Sequence, residues 1–88
     1  MKTMKVQVEV VLSAKPTKKD LAEMRDSAMS ASDERKSVRV RRHESRENVL
    51  VADFLVEKAR QIDVVDGIGQ AFEDFMTNYA DSTIRFPK

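Results

Sequence analysis

The 88-residue chain contains no cysteine, which excludes disulfides, thiol nucleophiles, iron–sulfur clusters and cysteine-based zinc sites. Histidine occurs once, as His43, tryptophan is missing, and the aromatics reduce to four phenylalanines and one tyrosine. Glycine and proline each occur twice, and no segment is of low complexity or internally repeated. No apolar run approaches the roughly 20 residues a membrane-spanning helix needs. A strong charge of either sign is also missing. Sixteen Lys and Arg stand against fifteen Asp and Glu, for a net charge of +1. At this length the expectation is one domain, residues 1–88, with a modest core that buries about 60–65% of the unfolded surface. Such a core leaves no room for a large internal cavity. The start of the chain is basic, but Lys5, Gln7 and Glu9 interrupt what a signal peptide would need as an unbroken apolar stretch. A cytoplasmic protein is the expectation.

What is present is pattern. Met4, Val6, Val8, Val10 and Leu12 alternate with Lys5, Gln7, Glu9 and Val11, the period of a strand buried on one face. Pro16, without a donor, breaks it. Thr17 followed by Asp20 marks a helix start, and Leu21, Met24, Ala28 and Ala31 form an apolar stripe over 18–31. Residues 37–41 alternate again, residues 43–47 have the length of a hairpin turn, and Asn48–Val56 is apolar on both faces, as in a central strand. From about Ala59 the period turns helical through Ile62, Val65, Ile68, Phe72, Phe75/Met76 and Tyr79, with Gly67 and Gly69 weakening the first turns. Residues 82–86 alternate once more before Pro87.

The order β-α-β-β-α-β, with right-handed crossovers, resembles the ferredoxin-like arrangement: an α+β two-layer sandwich whose antiparallel sheet runs 4-1-3-2 with both helices on one face. The resemblance is one of topology, and that topology hosts many functions. The family motifs tested against it are missing. The loop Leu12-Ser13-Ala14-Lys15-Pro16 has neither the glycines nor the arginine of an acylphosphatase, nor the cysteines of a heavy-metal domain. An ACT-type sensor would carry a glycine at this junction. Phe54 has the parity of the buried set rather than that of an RNA-recognition motif's outer aromatics. The expected core is Val6, Val8, Val10, Leu21, Met24, Ala28, Val38, Val40, Leu50, Phe54, Val56, Ile62, Val65, Ile68, Phe72, Phe75 and Ile84, with Tyr79 closing the end of the second helix.

Three surfaces are candidates for function. Val11, Val49, Val51 and Leu55 have the parity opposite to the core, and would group on the uncovered sheet face as an apolar patch suited to self-association. On that face Asp53 interrupts an apolar strand near Arg39 and Arg85, as part of a polar rim, a shallow pocket or a cross-strand ion pair. Arg35, Lys36, Arg39, Arg41, Arg42 and Arg46 against Glu44 give residues 35–46 a net charge of +5, while residues 47–84 carry −6. Such a basic edge suits nucleic-acid phosphates, and it also protects an edge strand from unwanted pairing. His43 among arginines is a poor cation ligand. Asp66-Gly67-Ile68-Gly69 follows no strand directly, so its glycines are read as close helix–sheet packing rather than a phosphate turn. The leading expectation is a small non-enzymatic interaction or regulatory module, a homodimer through the open sheet face, with no cofactor, metal or membrane partner. The alternative is nucleic-acid binding through the basic edge. The third is an enzyme or ligand-binding protein with a dimer-interface pocket around Asp53.

Overall fold

The computed structural model describes residues 2–58 and 61–87, and for residues 35, 61–66 and 68 the backbone alone. Strand β1 (Thr3–Leu12) leads into helix α1 (Lys18–Ala31), followed by a 3₁₀ turn at Arg35–Ser37, strands β2 (Arg39–Arg42) and β3 (Val49–Glu57), helix α2 (Gln61–Phe75) and strand β4 (Tyr79–Arg85). The four strands form one antiparallel sheet in the order β2-β3-β1-β4, which is the expected 4-1-3-2 read from the other edge. β1 and β3 pair over nine residues, from Thr3↔Glu57 to Val11↔Val49. The even-numbered residues of β1 therefore face one side with Ala52, Phe54 and Val56. Met24 and Ala28 of α1 and Phe72 of α2 are buried in the same cluster as Val6, Val8, Val10 and Leu12, so both helices cover this one face.

Local chemistry explains the boundaries. Thr17 and Asp20 form a capping box: Thr17 Oγ1 accepts from the Asp20 N–H at 3.3 Å, and Asp20 Oδ2 accepts from the Thr17 N–H at 2.8 Å. α1 ends at Ser32, whose N–H reaches Ala28 O at 2.8 Å and whose hydroxyl donates to Leu55 O at 3.1 Å, tying the helix exit to β3. α2 ends where Asn78 takes over. Its side-chain amide pairs with both backbone groups of Ala14, accepting from the N–H at 2.9 Å and donating to the C=O at 3.1 Å. A third contact, from Asn78 Nδ2 to Asp20 Oδ2 at 3.4 Å, joins the β1–α1 loop, the α2–β4 turn and the α1 cap.

Several expectations are corrected. Tyr79 opens β4 rather than closing α2, and its hydroxyl meets Ser82 Oγ at 2.6 Å. Residues 77–78 turn the chain because the Asn78 amide is committed to Ala14. The helical phase resolves as i, i+4 from Phe72, so Met76 is 3% exposed and Phe75 is 63% exposed, outside the core. Ser37 lies in the 3₁₀ turn, its hydroxyl bonded to Glu34 O at 2.7 Å, which delays β2 to Arg39. Leu21, Val40 and Ile84 pack against the core half-buried, and Leu12 and Ala52 join it. The side chains of Ile62, Val65 and Ile68 lie outside the described residues. Gly67 and Gly69 sit within α2 with no positive φ. Among the described residues, a Cβ built at Gly67 meets nothing within 4 Å and one at Gly69 meets only Ser82 Oγ at 3.9 Å, so close packing against them does not demand either glycine.

Candidate functional site

The uncovered sheet face is set by register. Reading across from β2 to β3 to β1 to β4, one row is Arg39, Asp53, Gln7 and Arg85, and the next is Arg41, Val51, Glu9 and Thr83. In the third row Val49 and Val11 pair and Asp81 follows, while the His43 N–H donates to Val49 O at 3.0 Å. The four aliphatic residues expected on this face are there, but they do not form an exposed patch. Val49 is 2% exposed and Val51 1% within the single chain, and Val11 and Leu55 are half-buried. Val51 lies between Glu9 and Arg41 in the register. Long polar side chains on neighbouring strands shelter an aliphatic residue of this size with their methylene stems.

The polar groups are connected both directly across the strands and diagonally. Asp53 Oδ1 accepts from Gln7 Nε2 at 3.0 Å, and Asp53 Oδ2 lies 3.7 Å from Arg41 Nε. The expected Arg39 and Arg85 partners are thus replaced by Arg41 and Gln7. Arg39, although opposite Asp53, turns its Nη1 to the carbonyls of Lys36 and Val38 at 3.3 and 3.2 Å. Arg85 Nη2 lies 3.9 Å from Glu9 Oε2, with the Glu9 side chain only 14% exposed. Asp53, Arg39 and Arg85 therefore do not converge on one point.

Two of them do share a trough. A depression of about 480 Å³, open to solvent, crosses the face between Lys5, Gln7, Arg39, Asp53, Leu55 and Pro87, within the range of small-ligand sites. With Asp53 matched by Arg41, the remaining charges along it are Lys5 and Arg39, so it favours an anion. Leu55 and Pro87 add apolar lining. Gln7 and Pro87 were missed from the sequence. Gln7 becomes legible only once the Gln7↔Asp53 register is known, and Pro87 reads locally as nothing more than a strand terminator.

Along the basic segment Lys36, Arg39, Arg41, Arg42 and Arg46 are all exposed, with Arg41 beside Asp53 and Arg39 turned to backbone carbonyls; the Arg35 side chain lies outside the described residues. His43 organises its own turn, its Nδ1 accepting from the N–H groups of Ser45 and Arg46, each at 3.1 Å. That arrangement puts the ring proton on Nε2. Among the described residues no three His, Cys, Asp or Glu side chains gather as a metal site, and no helix is long and apolar enough to cross a membrane. The N-terminus of α1, the usual place for an anion, holds the Asp20 carboxylate of the chain itself. Burial pushes the Asp20 pKa up, but donors from the Thr17 backbone and hydroxyl, the Asn78 amide and the nearby Lys19 charge outweigh it and hold the group below its ordinary value of 3.8. A smaller depression of about 310 Å³ lies between α1 and β2, lined by Leu21, Ala22, Arg25, Val38 and Val40.

Compared with known proteins, the chain matches no family model, no curated protein and no solved structure.

Proposed function

We propose that this chain is a small non-enzymatic binding module of ferredoxin-like architecture that works through the open face of its sheet. Its ligand on this reading is a small organic anion. The observation that carries it is the trough of about 480 Å³, lined by the cations Lys5 and Arg39 and by the apolar Leu55 and Pro87. The anionic group would sit near the two cations, and the apolar body against Leu55 and Pro87. Asp53, around which the sequence suggests an enzyme or ligand pocket, is tied to Gln7 and Arg41 at the solvent-facing side of the sheet. General acid–base chemistry favours a carboxyl group in a water-poor pocket.

Self-association across the open face, which the sequence pattern suggests, has less to draw on. Most of the surface that Val49 and Val51 would contribute is already covered in one chain. Phosphate binding along the β2 edge is the second reading, favoured by the exposure of Lys36, Arg42 and Arg46. A ¹⁵N-resolved NMR titration separates these readings, with benzoate, inorganic phosphate and a single-stranded oligonucleotide as probes. The trough reading expects benzoate to shift the amides of Lys5, Gln7, Asp53 and Leu55, and expects Lys5→Glu to abolish the response. No benzoate shifts at about 10 mM, weaker than any useful millimolar affinity, would overturn it. Shifts from the oligonucleotide at Lys36, Arg42 and Arg46 that fade with added salt would establish the second reading in its place.

A further inference from the structure

The two edges of the sheet are unequally protected. Hydrogen bonds at the ends of β1 give the phase of its ladders: Leu12 N–H to Asn48 O and Lys58 N–H to Lys2 O run toward β3, while Ser13 N–H to Asn78 O runs toward the β4 side. Even-numbered residues of β1 thus bond β3, and odd-numbered ones bond β4. In β4 the groups of Asp81, Thr83 and Arg85, opposite Val11, Glu9 and Gln7, face inward. Ser82 and Ile84 point their N–H and C=O groups outward. The Ser82 N–H confirms this, since it has taken the Asp81 side chain as acceptor at 2.8 Å. β2 by contrast is four residues long, three of them arginine, which are common devices for blunting an edge.

We infer that the free edge of β4 pairs with β4 of a second copy, antiparallel and centred on Thr83. The segment Asp81-Ser82-Thr83-Ile84-Arg85 is self-complementary in that register. Ser82 meets Ile84 of the other copy as a hydrogen-bonded pair, using the outward groups. Thr83 meets Thr83 on the symmetry axis, as a two-fold interface requires. Asp81 and Arg85 lie opposite each other twice, in non-hydrogen-bonded positions where side chains come closest. Pro87, without an N–H, falls opposite Tyr79 at a position that calls for no donor. Shifting the register by two residues in either direction loses both charge pairs. Arg85 is available for the role, because its side chain is 62% exposed and its contact with Glu9 is long at 3.9 Å. Asp81 exchanges its bond to Ser82 N–H for Arg85 of the other copy, and Ile84 C=O of that copy takes over the released N–H. The homodimer expected from the sequence is retained, but on the edge of the sheet rather than on its face, and independently of any ligand in the trough.

Sedimentation equilibrium on the full chain tests this with two charge reversals, Asp81→Arg and Arg85→Asp. Wild type is expected to dimerise, and each single variant to dissociate with at least a tenfold weaker constant, because like charges then oppose each other twice. An equimolar mixture of the two variants is expected to form a heterodimer, since every opposing pair becomes unlike in sign. That gain of association does not depend on either variant keeping full stability. A wild-type chain that stays monomeric at about 100 µM would overturn the inference. So would dimers that persist unchanged in both single variants, or variants that dissociate and fail to associate when mixed. None of these outcomes bears on the benzoate titration, which reads the trough alone.

Discussion

Replacing Gly67 with alanine should make this protein more stable, although Gly67 lies in the middle of its longer helix. α2 spans Gln61–Phe75, so positions 67 and 69 are interior. Neither has a positive φ, and among the described residues an added Cβ meets nothing within 4 Å at Gly67 and only Ser82 Oγ at 3.9 Å at Gly69. Alanine therefore gains the helix preference that glycine lacks, about 0.8–1 kcal/mol per site, without a clash to offset it. The two positions are two residues apart and do not share a helix face, so the double variant should gain about 1.5–2 kcal/mol. For a chain of this size each kcal/mol corresponds to about 4–8 °C in Tm. Thermal unfolding followed by circular dichroism at pH 7 provides the measurement, with a denaturant titration to check that the slope m is unchanged. A lower Tm for Gly67→Ala would refute the reasoning. It would mean that the backbone at 67 needs a conformation that α2 does not have here.

Asn78→Ala removes the amide pairing with Ala14 and the contact to Asp20 and should cost about 1–2 kcal/mol at pH 7, checked by the same melt. Asp20 has a folded pKa below its ordinary 3.8, so its contribution is complete above pH 3.8 and is lost as the pH falls through the lower folded value. The gap between wild type and Asp20→Asn should stay level from pH 7 to about pH 4 and narrow only below that. Val51→Ala should cost about 1.5–2.5 kcal/mol through lost burial, equally at low and high protein concentration, because the covering atoms belong to the same chain; a concentration-dependent loss in the melt would contradict this. Phe72→Ala should cost about 3–5 kcal/mol, whereas Phe75→Ser should stay within about 0.5 kcal/mol, as urea unfolding would show. Removing the half-exposed Arg41–Asp53 pair by Arg41→Met should change stability by less than about 1 kcal/mol, and the difference should shrink in added salt.

Where one local period dominates, the sequence is legible. Alternation in residues 4–12, the Thr17/Asp20 cap and the apolar run of β3 placed β1, α1 and β3 to within a residue or so, and the alternation of connection types led to the sheet order. What failed depended on contacts between distant segments. Phe75 and Met76 both satisfy a helical stripe, and only the position of Phe72 on the sheet decides that Met76 enters the core. Tyr79 continues the period of α2 on paper, but the Asn78 amide engages Ala14, 64 residues away, and ends the helix. The open face shows the same limit: parity puts Val49 and Val51 there correctly, yet parity says nothing of how far they are covered within the chain. Asp53 was readable as an ion-paired residue, while its partners required the register, which places Gln7 opposite and Arg41 on the diagonal.

The sheet order also bears on how this chain folds. β1 lies in the interior of the sheet and pairs on one side with β4, and the Gln7↔Arg85 partners are 78 residues apart. Such distant closure slows folding relative to helical proteins of similar size. Until β4 arrives, β1 is itself an edge: ten residues long, alternating in valine, with every odd-numbered N–H and C=O unpaired. A chain in which β4 docks last would present this strand to its neighbours while refolding at high concentration. The yield of native protein after dilution from denaturant should therefore fall with chain concentration, most steeply in variants that delay the docking of β4.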